Sequence, residues 1–143
     1  MMKKLVLTGA GGRLGSYLRE PLTKMCEQLV STDWLEDIGK LYDGETYIKA
    51  DLGVLDQIEP LLTDADMVIH FGAIGDEAAW DAILHSNIIG AYNVWEAAAR
   101  KGVRRVIYAS SIHAVGMYPN CLLYTSDAAD EGLGVDLGGR RII

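Results

Sequence analysis

The stretch Thr8-Gly9-Ala10-Gly11-Gly12-Arg13-Leu14-Gly15 constrains this chain more than any other. It follows the apolar run Leu5-Val6-Leu7 and leads at once into a segment of helical character. A strand that turns sharply into a helix needs residues without side chains at the crowded positions. The spacing assigns a tight turn to Gly9, close approach of the backbone to an anionic ligand to Gly12, and close helix–strand packing to Gly15. A helix beginning here presents unpaired N–H groups and the positive end of its dipole, so phosphate binding follows physically. The Gly-x-x-x-x-Gly-Lys-Ser/Thr pattern is absent, which gives no support to a nucleotide-hydrolysing P-loop.

Several short runs rich in β-branched or apolar residues alternate with longer helical stretches. Strands are expected at Lys3 to Thr8, Gln28 to Asp33, Thr46 to Ala50, Met67 to Phe71 and Arg105 to Ser110. Helices are expected over Leu14 to Cys26, Leu55 to Leu62 and Trp80 to Arg100. This alternation is the pattern of strand–helix units around a parallel sheet. The unbroken apolar runs Leu5-Val6-Leu7 and Val68-Ile69 predict strands covered on both faces. In the last helix, Ile83, Ile88, Tyr92, Trp95, Ala98 and Ala99 recur at three- and four-residue spacing and predict the stripe that meets the sheet, with Asp81 and Arg100 left wet. Trp80 and Trp95 are read as core, and Asp33 to Gly44 as loop, with a short helix within it as the alternative. The expected architecture is α/β, a Rossmann-type doubly wound parallel sheet with strand order 3-2-1-4-5, truncated, with ligand along the C-terminal strand edges.

The second strand ends at Asp33, 18 residues beyond Gly15, where a carboxylate can accept hydrogen bonds from both hydroxyls of an adenosine ribose. The same charge repels a 2′-phosphate, and no arginine follows closely to offset it, so NAD is preferred to NADP. Half of the 143 residues are hydrophobic, enough for a sizeable core, and the net charge of −7 offers no footprint for a polyanion, so nucleic acid is not an expected partner. No apolar run approaches the roughly 20 residues of a membrane-spanning helix, and the run after Lys3-Lys4 is too short for a signal peptide. Membrane is therefore not an expected partner either. Cys26 and Cys121 lie far apart without metal spacing, which fits a reducing, cytoplasmic setting and no metal site. His70, ending an apolar strand, is read as buried and hydrogen-bonded, and His85 as a partly exposed helix residue without a role.

The Gly-x-x-Gly-x-x-Gly spacing after Thr8 resembles the extended short-chain dehydrogenase/reductase family, the NAD-dependent epimerases and dehydratases. Four more segments agree. Asp51-Leu52 resembles the family's pair near adenine, and His70-Phe71-Gly72-Ala73 its strand along the cofactor. Asn87-Ile88-Ile89-Gly90 resembles its long-helix asparagine motif, and Tyr108-Ala109-Ser110-Ser111 its serine motif. The resemblance implies a cofactor site of Gly9, Gly12, Arg13, Leu14, Gly15, Asp33, Asp51, Leu52, Phe71, Gly72, Ala73 and Asn87. Asp51 alternatively forms only a strand-end turn, and Asn87 only braces its helix. Within the family, Ser110-Ser111-Ile112-His113 followed by Gly116-Met117-Tyr118-Pro119 is most similar to uronate dehydrogenases, which oxidise C1 of a hexuronic acid with NAD to an aldarolactone. That implies a sugar or sugar-acid substrate, Ser111 as the catalytic serine orienting the reacting hydroxyl, and His113 and Gly75 beside the substrate. Nucleotide-sugar epimerase or dehydratase chemistry and a non-catalytic dinucleotide-binding module are the competing readings. The pattern departs at Ile112, where an Asn is usual and Ile offers no side-chain hydrogen bond, and at Gly75, where a Ser is usual.

Family chemistry pairs a tyrosine base with a lysine that lowers its pKa, spaced Tyr-x-x-x-Lys, because a tyrosine near pKa 10 is a poor base at neutral pH. The last lysine here is Lys101, ahead of the serine motif, so Tyr118 and Tyr124 are not credible bases. The expectation is an incomplete NAD-binding Rossmann domain over residues 1–120, without turnover, from an active parent that the resemblance makes a homodimer. Residues 121–143 lack a periodic apolar face and resemble translated sequencing-adapter read-through, so they are expected to be a tail foreign to the family.

Overall fold

A computed structural model describes residues 1–111. The chain falls into two units, Met1–Ala109 and Ser110–Ile143, and every element given below lies in the first. The strands are β1 (Met2–Thr8), β2 (Cys26–Asp33), β3 (Glu45–Lys49), β4 (Met67–His70) and β5 (Arg105–Tyr108). They pair in parallel in the order β3-β2-β1-β4-β5, the predicted topology. Helix α1 (Arg13–Thr23) links β1 to β2, and a short α2 (Leu55–Ile58) runs into a 3₁₀ turn, Glu59–Leu62, before β4. The long helical stretch before β5 has three parts: α3 (Trp80–Ile83), a π-helical segment (Leu84–Ile89) and α4 (Gly90–Arg100).

The apolar runs divide between the two faces of the sheet because successive strand residues point to opposite sides. Val6, Val30 and Val68 pack with Ile58, Leu62, Val94 and Ala97 on one side. Leu5, Leu7, Leu29 and Ile69 pack with Leu22 and Cys26 on the other. Register then sets the upper edge: Thr8 stands beside Thr32 and His70, and Asp33 beside Lys49. The strand order reverses between β1 and β4, and at that switch point the loops leaving the two strands diverge and open a crevice.

Among the differences from expectation, two boundaries and one buried face have local causes. Helix α1 ends at Thr23 rather than Cys26, two residues after Pro21, and the N–H groups of Lys24 and Met25 close tight turns onto Pro21 and Leu22. Cys26 thereby becomes the first residue of β2, opposite Met2, ahead of the expected start at Gln28. The last helix buries Gly90, Asn93, Val94, Ala97 and Ala98, whereas Ile88, Tyr92 and Trp95 of the predicted stripe are exposed, as is Trp80. The π segment is the cause: its wider turn shifts the residues after it around the axis, and a strict 3.6-residue period fails across it. Of the Asp33 to Gly44 stretch, Asp33 closes β2 and residues 34–44 are loop without a helix.

Candidate functional site

The turn after β1 is as tight as its glycines suggest. Gly9 sits at φ +71°, and a Cβ there would lie 2.6 Å from the Gly72 nitrogen; at Gly15 a Cβ would lie 2.0 Å from the Gly9 oxygen. Neither contact has room to relax, because both partners are backbone. Gly12 caps α1 with no side-chain hydrogen bond to the helix, and the first turn carries no acidic residue. The N–H groups at this end are left for a ligand.

Two connected depressions run along the C-terminal strand edge. One, of about 400 Å³, is lined by Gly9, Gly12, Asp33, Asp51, Leu52, Phe71, Gly72 and Ala73 among others. The second, of about 370 Å³, shares Gly9, Gly12, Phe71 and Ala73 and adds Arg13, Leu14, Gly15 and Gly75. Apart from Asn87, every residue named above as cofactor-binding thus lines one continuous cleft, and Gly75 lies at its α1 end. Asn87 stands behind the wall: its side-chain amide donates to the Ile74 oxygen at 2.9 Å and accepts from the Ile74 N–H at 2.8 Å. That fastens the loop after β4, of which Ile74 itself lines the cleft. Ser111 belongs to the second unit, and Ile112 and His113 lie outside the described residues, as do residues 121–143.

Asp33 is buried and already accepts three backbone hydrogen bonds: from Gly11 at 2.9 Å, Trp34 at 2.9 Å and Leu35 at 3.3 Å. About four acceptor positions exist on a carboxylate, so one remains for a further donor, and the long Leu35 contact is the most easily displaced of the three. Near it, Thr32 Oγ1 is buried with no hydrogen-bond partner among the described residues, and its residue lines the cleft. His70 shares a 2.6 Å hydrogen bond with Thr8 Oγ1, which also accepts the Gly72 N–H at 3.1 Å. Burial pushes the His70 imidazole down to about 4, so it stays neutral and structural, as the sequence suggested.

Two interactions were not visible in the sequence. Asp51 is held by His85, whose Nε2 lies 2.9 Å from both carboxylate oxygens, and by the Gly53 N–H at 2.8 Å. Burial works to raise the Asp51 carboxyl, but these contacts outweigh it and leave it below its ordinary value. Beneath the cleft, Arg19 forms a buried fork onto Glu45, Nε to Oε1 at 2.7 Å and Nη2 to Oε2 at 3.1 Å. Its remaining donors reach the Ile38 and Lys40 oxygens. Glu45 also accepts from Ser31 and the Tyr42 N–H. Burial raises the Glu45 carboxyl, and the Arg19 and Ser31 hydrogen bonds overcome it, leaving a net lowering. This cluster fastens the loop that presents Trp34 and Leu35 to the cleft. Among the described residues no group of His, Cys, Asp or Glu could hold a metal ion, and no helix is long and apolar enough to cross a membrane.

The model of the NAD dependent epimerase/dehydratase family matches residues 5–131. Uronate dehydrogenase of Pseudomonas syringae pv. tomato is 40% identical over 115 residues, covering 80% of this chain and 42% of that enzyme. Uronate dehydrogenase of Agrobacterium fabrum is 38% identical over 139 residues, covering 97% of this chain and 49% of that enzyme. Among solved structures, glucuronic acid dehydrogenase from Chromohalobacter salexigens superimposes with a TM-score of 0.78 at 37% identity, covering 85% of this chain and 45% of that one. A mutant of the Agrobacterium tumefaciens uronate dehydrogenase, complexed with NAD, gives 0.77 at 36% identity, with the same coverage of 85% and 45%. The chain spans less than half the length of these relatives. With the glycine turn, the switch-point cleft and a family match running through nearly all of the described residues, the chain belongs to the NAD dependent epimerase/dehydratase family.

Proposed function

We propose that this chain is the NAD-binding, amino-terminal part of an oxidoreductase that oxidises a hexuronic acid at C1 to an aldarolactone. The observation that carries the reading is one continuous cleft joining an uncapped helix N-terminus to a carboxylate at the end of the neighbouring strand. An anion suits the first end and a ribose the second. The residues fit a dinucleotide: glycines keep the turn clear of side chains, and the Thr32 hydroxyl has no partner to give up among the described residues. Gly9, Gly12, Arg13, Leu14 and Gly15 would face the pyrophosphate, Asp33 the adenosine ribose, and Asp51 with Leu52 the base. Phe71, Gly72 and Ala73 would line the path towards the nicotinamide, with Asn87 keeping the adjoining loop in place. When bound, NAD supplies the hydride acceptor.

For the substrate, the similarity to uronate dehydrogenases supports a sugar acid, with Ser111 orienting its C1 hydroxyl and His113 and Gly75 beside it. The tyrosine and lysine that move the proton belong to the parent beyond this chain, which we take to be a homodimer. The free, buried Cys26 supports placing the protein in the cytoplasm.

Calorimetric titration of NAD and NADP into the 143-residue chain tests the cofactor assignment. NAD is expected to bind saturably and at least about tenfold more tightly than NADP, a difference of about 1.4 kcal/mol. Asp33→Asn, which removes the charge but keeps an acceptor, should narrow that gap. Equal affinities in the unsubstituted chain, or no NAD binding by a chain shown folded by circular dichroism, would sink the proposal.

A further inference from the structure

The Asp51–His85 pair spans the cleft from the loop after β3 to the π segment, and both residues line it. A carboxylate only accepts, so His85 Nε2 must carry the proton it shares between Oδ1 and Oδ2. Oδ1 also takes the Gly53 N–H. Of the roughly four acceptor positions on an ionised carboxylate, one at Oδ2 is left. The imidazole reaches this place because residue 53 is glycine: a Cβ there would fall 2.1 Å from the ring carbon Cε1 and 2.2 Å from Nε2. The loop does not depend on His85 for its position. Asn93 Nδ2 donates to the Leu52 oxygen at 2.8 Å, and Gly90 lets Leu52 pack closely against α4. His85 therefore acts on the Asp51 side chain rather than on the backbone that carries it.

We propose that His85 is a positioning residue for base selection: it orients the Asp51 carboxylate so that its one open acceptor position at Oδ2 takes the exocyclic amino group of adenine. This rests on the dinucleotide reading above. A base with a carbonyl in place of that amino group would set oxygen against oxygen, so the cleft discriminates between the two by more than shape.

The test compares NAD with its hypoxanthine analogue, which differs at that one group, by calorimetry on the whole chain. NAD is expected to bind at least about tenfold more tightly. In His85→Leu, and in Gly53→Ala, where the added methyl displaces the imidazole while both partners remain, that ratio should fall to about threefold or less. His85→Gln, whose side-chain amide can donate to the same carboxylate, should keep it. A merely structural role for His85 would weaken both ligands alike and leave the ratio unchanged, which overturns the inference. Equal affinity of the unsubstituted chain for the two dinucleotides overturns it as well. Failure of that chain to bind NAD at all overturns the cofactor reading and this inference together, whereas saturable NAD binding with an unmoved ratio removes this inference alone.

Discussion

At the residue scale, His70 shows how a group beside a ligand cleft can matter without touching chemistry. Its imidazole is about 2% exposed and titrates near 4, against an ordinary value of 6.5. The folded chain therefore refuses a proton that the unfolded chain accepts. Stability from this source is complete above pH 6.5 and is lost as pH falls through about 4. The full loss amounts to about 3 kcal/mol. Urea titrations of the unsubstituted chain and of His70→Gln across that range check it: the unsubstituted chain should lose the additional stability, and parallel curves would refute the assignment. His70 was legible because a histidine closing an apolar strand has few alternatives to burial. Gly9, Gly15 and Asp33 were legible from their places at the ends of apolar strands and in the glycine spacing, although the backbone that crowds Gly9 is that of Phe71 and Gly72 and one partner of Asp33, Gly11, lies 22 residues away. His85 was not. Its partner stands 34 residues away, and neither residue carries a mark of the pairing.

At the element scale, the strand order came with the glycine turn and the family resemblance, while the five strands and their parallel sheet followed from alternation, because continuous apolar runs separated by helical lengths leave few other arrangements. The helix before β5 did not. A period of 3.6 does not hold through a stretch whose middle turns are π-helical, and of the expected stripe after that segment Ala98 meets the core while Tyr92 and Trp95 are turned outward. The loop between β2 and β3 was likewise illegible in its detail, for it is organised by Arg19, a residue of α1 that no sequence motif singles out. Buried against Glu45, it donates to four distant oxygens of that loop and strand. Arg19→Met strands the Glu45 carboxylate out of water and is expected to cost about 3–5 kcal/mol of unfolding free energy. Adding Glu45→Gln removes the stranded charge and should recover part of that loss. Denaturant midpoints measure both. A cost below about 1 kcal/mol for the single substitution would class the pair with exposed ion pairs instead.

At the scale of the whole molecule, the chain carries a cofactor cleft and less than half the length of its relatives. If the proposed function holds, the two parts of the reaction separate experimentally. The full-length parent, given NAD and a hexuronic acid, is expected to produce NADH, and the present chain to produce none while still binding NAD. Turnover by the parent with nucleotide sugars and not with free uronates would transfer the protein to the epimerase side of its family. One further consequence follows from where the cleft is encoded. Among the described residues, all those that line it, from Gly9 to Ala109, lie in the first unit. During synthesis those residues leave the ribosome before anything that follows them, so a dinucleotide can meet its cradle while translation is still under way. Ligand captured at that stage favours the folded form of the nascent segment by mass action, and the cell's NAD supply then enters the protein's biogenesis as well as its turnover.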